Sequence, residues 1–469
     1  MHCSRNRQTM NLDFLPRFYR LATVSVLSNM MVPLAGLADT AFLGHLEDIR
    51  DLGGVILGSL LFDYLYRVLK FLRNSTNALT AEAQGQADEL ELQEAKLQEA
   101  KLQDTGAKET GVMLALLRCG LVAIALSLVI LALQYPIKTL GFAVLSGTPA
   151  IEASGLDYFN ARIWGAPAVL LNFVLLGWFL GQERTGVVLL MSLAGNASNV
   201  LMDYWMILRW DWGSSGAGLA TALSQYLALG LGLVAIATRL NWPALSAAYR
   251  QIWDWPALQS ILTLKANILI RFIVLISTYA IFTNLSAGFG TEVLASNGLL
   301  LQIALLSQFT VQGIGITTQT LVGNFKGKGE LEATIPVLLT AIAHALVIAL
   351  GLAGIAIGFP QTVFGLLTNH ADIAQSMGIE AIWLLPLLSC TAIAFMLEGY
   401  WIGLKRGEVL RNGALVAFGI GFGPLAIAAG YTQSNGLLWS ALVGYMAVLM
   451  VSLAWAFVVQ PAPLANEIS

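Results

Sequence analysis

Apolar residues in this chain come in long unbroken runs. They show neither the i, i+3, i+4 stripe of a water-soluble helix nor the alternation of a half-buried strand. A helix needs roughly 20 such residues to cross a hydrocarbon core of about 30 Å. Twelve runs meet this, at 16–43, 52–75, 111–134, 151–181, 186–208, 215–238, 258–288, 292–324, 332–358, 372–403, 410–430 and 437–460. A membrane β-barrel would show short alternating segments instead. The pattern predicts an all-α polytopic membrane protein.

The polar interruptions repeat. Ser75-Thr76-Asn77-Ala78-Leu79, closed by Gly85, returns as Thr317-Thr318-Gln319-Thr320-Leu321, closed by Gly327, at an offset of 242. Ile163-Trp164-x-x-Pro167 returns as Ile382-Trp383-x-x-Pro386 at 219, and Gly181 with Arg184 as Gly403 with Arg406 at 222. The offset falls by about twenty after the second run, so the first half carries an insertion there. Its centre is ELQEAKLQEAKLQD at 91–104, whose leucines five apart cannot form one helical face; a solvated helix or tether is expected. Two halves of like topology predict two pseudo-symmetric six-helix lobes around a central cavity. The expected lobes are 1–241, with the insertion at about 86–110, and 258–469, joined by a linker at 242–257.

Composition removes other classes. Of 469 residues, 57% are hydrophobic and 11% charged, against roughly 25% charged in a soluble domain. The formal net charge is −3 with no basic block, so no nucleic-acid partner is expected. Cys3, Cys119 and Cys390 are scattered and suggest neither a disulfide framework nor a metal site. Of the 25 basic residues, 17 fall on the side of the N-terminus and 3 on the other, which predicts both termini in the cytoplasm. The short polar N-terminal tail shows no cleaved signal.

Charges inside the runs are the candidate chemistry, because an intramembrane carboxylate costs several kcal/mol unless it meets a cavity, a partner or a cation. Asp39 sits in the first run and Asp203 in the fifth, with Asn199 four residues before Asp203 and so on the same helical face. The sixth run opens with small residues from Gly216 to Thr221, which allow close helix approach. Two carboxylates, an amide and a hydroxyl form an oxygen-rich set able to hold Na⁺ or to share a proton. At the repeat offsets Asp39 falls on Ile281 and Asp203 on Leu425, so the acid pair belongs to one half only. Arg67, Lys70 and Arg73 recur every three residues in the second run, with Asp63 one turn before Arg67. Arg67 lies roughly 22 Å inward of Leu52 at 1.5 Å per residue. Arg67 and Lys70 are candidates for a cavity wall facing an anionic or zwitterionic substrate, whereas Arg73 is expected to snorkel to the inner interface. Arg271, Gln312 and Glu398 are further candidates for the substrate cavity, and Arg162 is expected to pair with Asp157 or Glu152. His45, His344 and His370 read as solvated or structural. Gly323–Lys328 imitates a phosphate loop, but its spacing is one short and Gly329 replaces the Ser/Thr. HExxH and GxSxG are absent, so no enzyme and no organic cofactor are expected.

Several stretches are similar to the multidrug and toxic-compound extrusion (MATE) family, DinF-type subgroup: LADTAFLGHL (37–46), FLRNSTNALTAEAQG (71–85), LLGWFLGQER (175–184), NASNVLMDYWMIL (196–208), GAGLATALSQY (216–226) and LEGYWIGLKRGEVLRN (397–412). The similarity spans the chain except 88–108. It implies a twelve-helix antiporter of the plasma membrane that exports organic compounds against inward H⁺ or Na⁺, with a first-lobe cation site at Asp39, Asn199, Asp203 and Thr221. Gln312 stands where many DinF-type members carry an aspartate, and Arg67 and Lys70 stand where they carry apolar or aromatic residues. These departures shift the cavity toward positive. A lipid-linked precursor flippase of the same superfamily and a non-transporting receptor or scaffold are the alternatives. The expected partners are a small organic substrate and the bilayer, with the protein acting as a monomer.

Overall fold

The computed structural model describes residues 13–44, 49–96, 105–144, 148–365 and 380–459; side chains at 32–44, 49–50, 92, 94–96, 105–108, 144, 257 and 291 lie outside the description. Every regular element among the described residues is helical. The chain runs α1 (Leu15–Gly44), α2 (Ile49–Leu69), α3 (Phe71–Lys96), α4 (Thr105–Ala132), α5 (Gln134–Val144), α6 (Pro149–Arg162), α7 (Ala166–Gly181), α8 (Thr185–Asp203), α9 (Gly213–Ala237) and α10 (Trp242–Arg250). It continues with α11 (Trp255–Gly288), α12 (Thr291–Gly327), α13 (Thr334–Gly358), α14 (Pro360–Gly365), α15 (Leu384–Gly403), α16 (Gly407–Val416), α17 (Gly423–Thr432) and α18 (Asn435–Val459). Among the described residues, 11 helical stretches are long and apolar enough to cross a membrane; the side chains of the second half of α1, from residue 32, lie outside the description. The insertion begins as a continuation of α3 to Lys96, and residues 97–104 lie outside the described ones.

Two compact units divide the chain: Leu27–Ile276, and Ser277–Ser469 together with the described part of Met1–Val26. The boundaries fall inside α1 and inside α11 rather than in a loop.

The sequence repeat is a structural repeat. In the 27–276 unit α7 packs on α3 so closely that a methyl added at Gly177 would strike the Arg73 carbonyl oxygen, and one at Gly181 would lie 2.6 Å from Thr80 Cβ. In the other unit α15 packs on α12 the same way: Gly399 meets the Gly315 carbonyl, and a methyl at Gly403 would lie 2.8 Å from the Gln319 carbonyl oxygen and 3.0 Å from Val322 Cβ. At the sequence offsets, Gly315 corresponds to Arg73, Gln319 to Asn77 and Val322 to Thr80. Both pairs of glycines are spaced as G-x-x-x-G, in GWFLG and GYWIG. In a bilayer no water-driven force joins helices, so small residues that let backbones touch and pack supply the attraction.

The helix ends repeat as well. Glu183 (φ 56°) and Lys405 (φ 62°) both adopt the left-handed conformation. Arg184 N donates to Phe179 O at 2.9 Å, and Arg406 N to Trp401 O at 2.9 Å, closing the same turn after each crossing helix. The indole bonds do not follow the repeat: Trp178 Nε1 donates to Val112 O of α4 at 2.9 Å, whereas Trp401, one position beyond the counterpart of Trp178, donates from Nε1 to Leu453 O of α18 at 3.0 Å. The Ile-Trp-x-x-Pro motifs form a 3₁₀ turn in both halves, at Ile163–Gly165 and Ala381–Trp383, ahead of α7 and α15. Pro167 is the second residue of α7 and Pro386 the third of α15, within the first turn whose N–H groups have no intrahelical acceptor.

Candidate functional site

α8 delivers the acid-amide pair. Asn199 and Asp203 are buried at 5% and 0% exposure, and Asn199 Nδ2 donates to Asp203 Oδ2 at 2.9 Å. Immediately after Asp203 the helix widens into a π-turn at Tyr204–Arg209, where Trp210 N reaches back to Trp205 O at 2.9 Å. Such wide turns recur at functional positions, because they tilt the carbonyls and side chains of the preceding turn away from helical register. Trp212 N donates to Met206 O at 2.9 Å and thereby fixes the approach to α9.

α8 and α9 run antiparallel and touch where a methyl at Gly195 would lie 3.4 Å from Ala228 Cβ. Counting eight residues forward from Gly195 to Asp203 and seven back from Ala228 to Thr221, at about 1.5 Å per residue, puts both at about the same level. Thr221 is half-buried and its Oγ1 donates to Ala217 O at 2.9 Å, which leaves the oxygen lone pairs available as an acceptor. The described residues thus join Asn199 to Asp203 and set Thr221 level with them. Asp39 lies on α1, with its side chain outside the described residues.

The cationic residues of the second span separate. Arg67 pairs with Asp63 at 3.8 Å, both half-open at 43% and 55% side-chain exposure. The expected single helix breaks at Lys70, where α2 ends and α3 begins after one residue; Arg73 N donates to Lys70 O at 3.1 Å in a tightened turn. Arg73, expected at the interface, is instead buried at 8% exposure and donates from Nη1 to Asn29 Oδ1 of α1 at 3.0 Å. Its backbone is held by the Gly177 crossing, so the side chain starts from a fixed point.

Arg162 sits over the rings of Phe62 at 4.8 Å, Tyr158 at 5.4 Å and Tyr66 at 6.0 Å, and donates to the Tyr158 hydroxyl. An aromatic cage of this kind stabilises a guanidinium through the negative ring faces. Arg271 is buried at 3% exposure in the 27–276 unit, with its guanidinium over Phe272 at 4.8 Å. Glu398, at 7%, belongs to α15 of the other unit, as does half-buried Gln312 on α12. His344 bonds Thr340 O at 2.8 Å and the Tyr19 hydroxyl at 3.0 Å, a packing role; His45 and His370 lie outside the described residues. Among the described residues no group of three His, Cys, Asp or Glu is placed to hold a metal.

The family model for MatE matches residues 103–205 and 268–432, more than half of the chain. The chain belongs to the MatE family. It is a multi-pass membrane transporter for a small-molecule substrate. DNA damage-inducible protein F of Escherichia coli K12 is 28% identical over 93% of this chain and 90% of its own length. A probable multidrug resistance protein NorM of Thermotoga maritima is 24% identical over 76% and 73%. Human multidrug and toxin extrusion protein 1 is 24% identical over 63% of this chain and 52% of its own. Among solved structures, a MOP-superfamily transporter from Pyrococcus furiosus overlays with TM-score 0.80 at 18% identity, covering 94% of this chain and 95% of that one. A variant of the Vibrio cholerae MATE transporter VcmN overlays at 0.81 and 16% identity, covering 97% and 99%. These overlays place the twelve-helix fold of the MatE transporters on this chain.

Two polar joints of this MatE chain escape a search for intramembrane charge, because their residues sit at helix ends. In the 27–276 unit Asp51 Oδ1 accepts from Ser154 Oγ at 2.8 Å and from Ser214 N at 3.3 Å, tying α2, α6 and α9 together. In the other unit Asn297 Oδ1 accepts from Trp439 Nε1 at 2.8 Å, Asn297 Nδ2 donates to Asn435 Oδ1 at 2.8 Å, and Asn435 Nδ2 donates to Glu380 Oε1 at 3.3 Å.

Proposed function

We propose that this MatE protein is a cation-coupled antiporter that extrudes organic compounds by alternating access. The coupling ion is taken up at Asp39, Asn199, Asp203 and Thr221, in the plasma membrane with both termini cytoplasmic. The observation carrying this reading is Asp203: a carboxylate at 0% exposure inside a membrane span, hydrogen-bonded to Asn199 at 2.9 Å and followed by a π-turn. A buried acid at that depth costs several kcal/mol when ionised, so binding a proton or Na⁺ there shifts the stability of whichever state encloses it. Extrusion is supported by the names of the Thermotoga and human relatives. Protons suit the set better than Na⁺, because two carboxylates with few neutral oxygens exchange one proton readily.

Antiport then follows from linkage. Cation and substrate have opposed affinities for the same state, so loading one expels the other. The substrate is anionic or zwitterionic on this reading, since Arg67, Lys70 and Arg73 outnumber the one nearby carboxylate, Asp63, which lies 3.8 Å from Arg67. The Pyrococcus transporter, described as having a binding pocket of reverse polarity that suggests a different function, supports weighing each member's own charges. In proteoliposomes, dye export should require an imposed pH gradient and should fall at least tenfold in Asp203→Asn at equal reconstitution. Full gradient-driven export by Asp203→Asn would refute the site, and export driven only by a Na⁺ gradient would refute the proton.

A further inference from the structure

Arg73 carries a feature that the transport reading leaves unused. Its side chain is buried at 8% exposure, and Nη1 is engaged by Asn29 Oδ1 at 3.0 Å. Nε and Nη2 are both buried and without a hydrogen-bond partner. Those two nitrogens form one edge of the planar guanidinium, the fork whose parallel N–H groups match the two oxygens of a carboxylate. A guanidinium cannot shed its proton, so burial with one neutral amide leaves a full charge and an empty fork in a medium that solvates neither. The protein also spends rigidity on holding it: Arg73 O abuts Gly177, Arg73 N is tied to Lys70 O at 3.1 Å, and Asn29 orients the far end of the group. Nε and Nη2 are covered in this structure, so a carboxylate reaches them only when the packing around Arg73 opens; Asn29 and the Gly177 crossing then present the fork already oriented.

The position is particular to one half. At the 242-residue offset Arg73 becomes Gly315, where α15 fills the space by backbone contact, and Lys70 becomes Gln312. The repeat therefore copies the crossing and not the cation.

We infer that Arg73 is the anion-reading residue of this transporter, taking a carboxylate of the exported compound bidentately through Nε and Nη2, with Nη1 held by Asn29. Lys70, one turn earlier across the helix break, adds positive charge to the same approach. The inference rests on the transport reading only for the word exported; binding is measured separately.

Carboxyfluorescein, a small polycarboxylate, is the probe. Binding to the purified full chain is followed by fluorescence anisotropy in wild type, Arg73→Gln and Arg73→Lys, with the melting temperature of the unliganded protein as the folding control. Losing a charge-assisted fork should weaken binding about 10- to 100-fold in Arg73→Gln. Arg73→Lys, which keeps the charge and loses the fork, should fall between. Equal affinity in Arg73→Gln and wild type would overturn the assignment, as would no carboxyfluorescein binding by wild type. If Arg73→Gln does not fold, Arg73→Lys decides: wild-type affinity in that variant also overturns the fork. In parallel, wild-type proteoliposomes are tested for export of carboxyfluorescein and of the cation ethidium. Binding without export of either dye would sink the transport reading and leave the anion site standing. Export of ethidium together with failure to bind carboxyfluorescein would do the reverse.

Discussion

The duplicated glycine crossing can be tested at one methyl group. A Cβ at residue 181 would lie 2.6 Å from Thr80 Cβ and 2.9 Å from Ala81 N. Carbons meet without repulsion at about 3.5 Å, so α7 and α3 must separate by about 0.9 Å, and the nearer obstacles are Cβ and backbone rather than the tip of a mobile side chain. Overpacking of this size costs about 1–3 kcal/mol. Ala is the better helix former by about 1 kcal/mol, which offsets part of that. The net destabilisation of Gly181→Ala is therefore about 0–2 kcal/mol at one crossing. Gly181→Leu, with a side chain that cannot be accommodated by a small shift, should exceed 3 kcal/mol. Gly351 on α13 is the control, because a methyl there meets nothing within 4 Å and Gly351→Ala should leave stability unchanged or raise it. Melting of the purified protein followed by intrinsic tryptophan fluorescence would report the order Gly351→Ala, Gly181→Ala, Gly181→Leu, with the last lowest by roughly 5–10 °C. Equal melting temperatures for Gly181→Leu and Gly351→Leu would refute the claim that close backbone approach at this crossing holds α7 to α3.

Gly403→Leu should repeat the loss at α15 and α12, since its Cβ would lie 2.8 Å from the Gln319 carbonyl oxygen; a loss confined to Gly181 would break the equivalence of the two halves. Trp178→Phe and Trp401→Phe each leave a carbonyl, Val112 O or Leu453 O, without its indole donor, and each should lower stability by about 1–2 kcal/mol in chemical denaturation. Asp51→Ala should cost about 1–3 kcal/mol by orphaning Ser154 Oγ and Ser214 N, read as increased amide exchange at the starts of α6 and α9. Unchanged exchange there would remove Asp51 as the joint.

What the sequence makes legible is what depends on local order. The spans follow from apolar run length, and the repeat follows from matched polar residues. The Asn199–Asp203 bond follows from a spacing of four on one helix. The crossing was also written in the sequence, as GWFLG and GYWIG, and needed only the small-residue rule. Arg73 was not legible, because the same arginine three residues from Lys70 can snorkel or be buried, and only the position of Asn29 on α1 decides. The break at Lys70 has no proline or glycine to announce it, and the π-turn after Asp203 is equally unmarked by residue type. Arg162 sits against a ring cage contributed from two helices, α2 and its own α6, so a search for charged neighbours within α6 could not find it.

The division inside α1 also orders events in time. Arg17 Nη2 donates to Asn324 Oδ1 across 307 residues of chain, Tyr19 meets His344 across 325, and a methyl at Gly313 would lie 2.7 Å from Val26. The first described residues therefore belong to a unit whose remainder has not been synthesised when they leave the ribosome. At about 5–20 residues per second, Arg17 waits roughly 15–60 s for Asn324. Through that interval the opening turns of α1 wait without the neighbours that their buried side chains, from Phe14 to Leu21, meet in the finished protein.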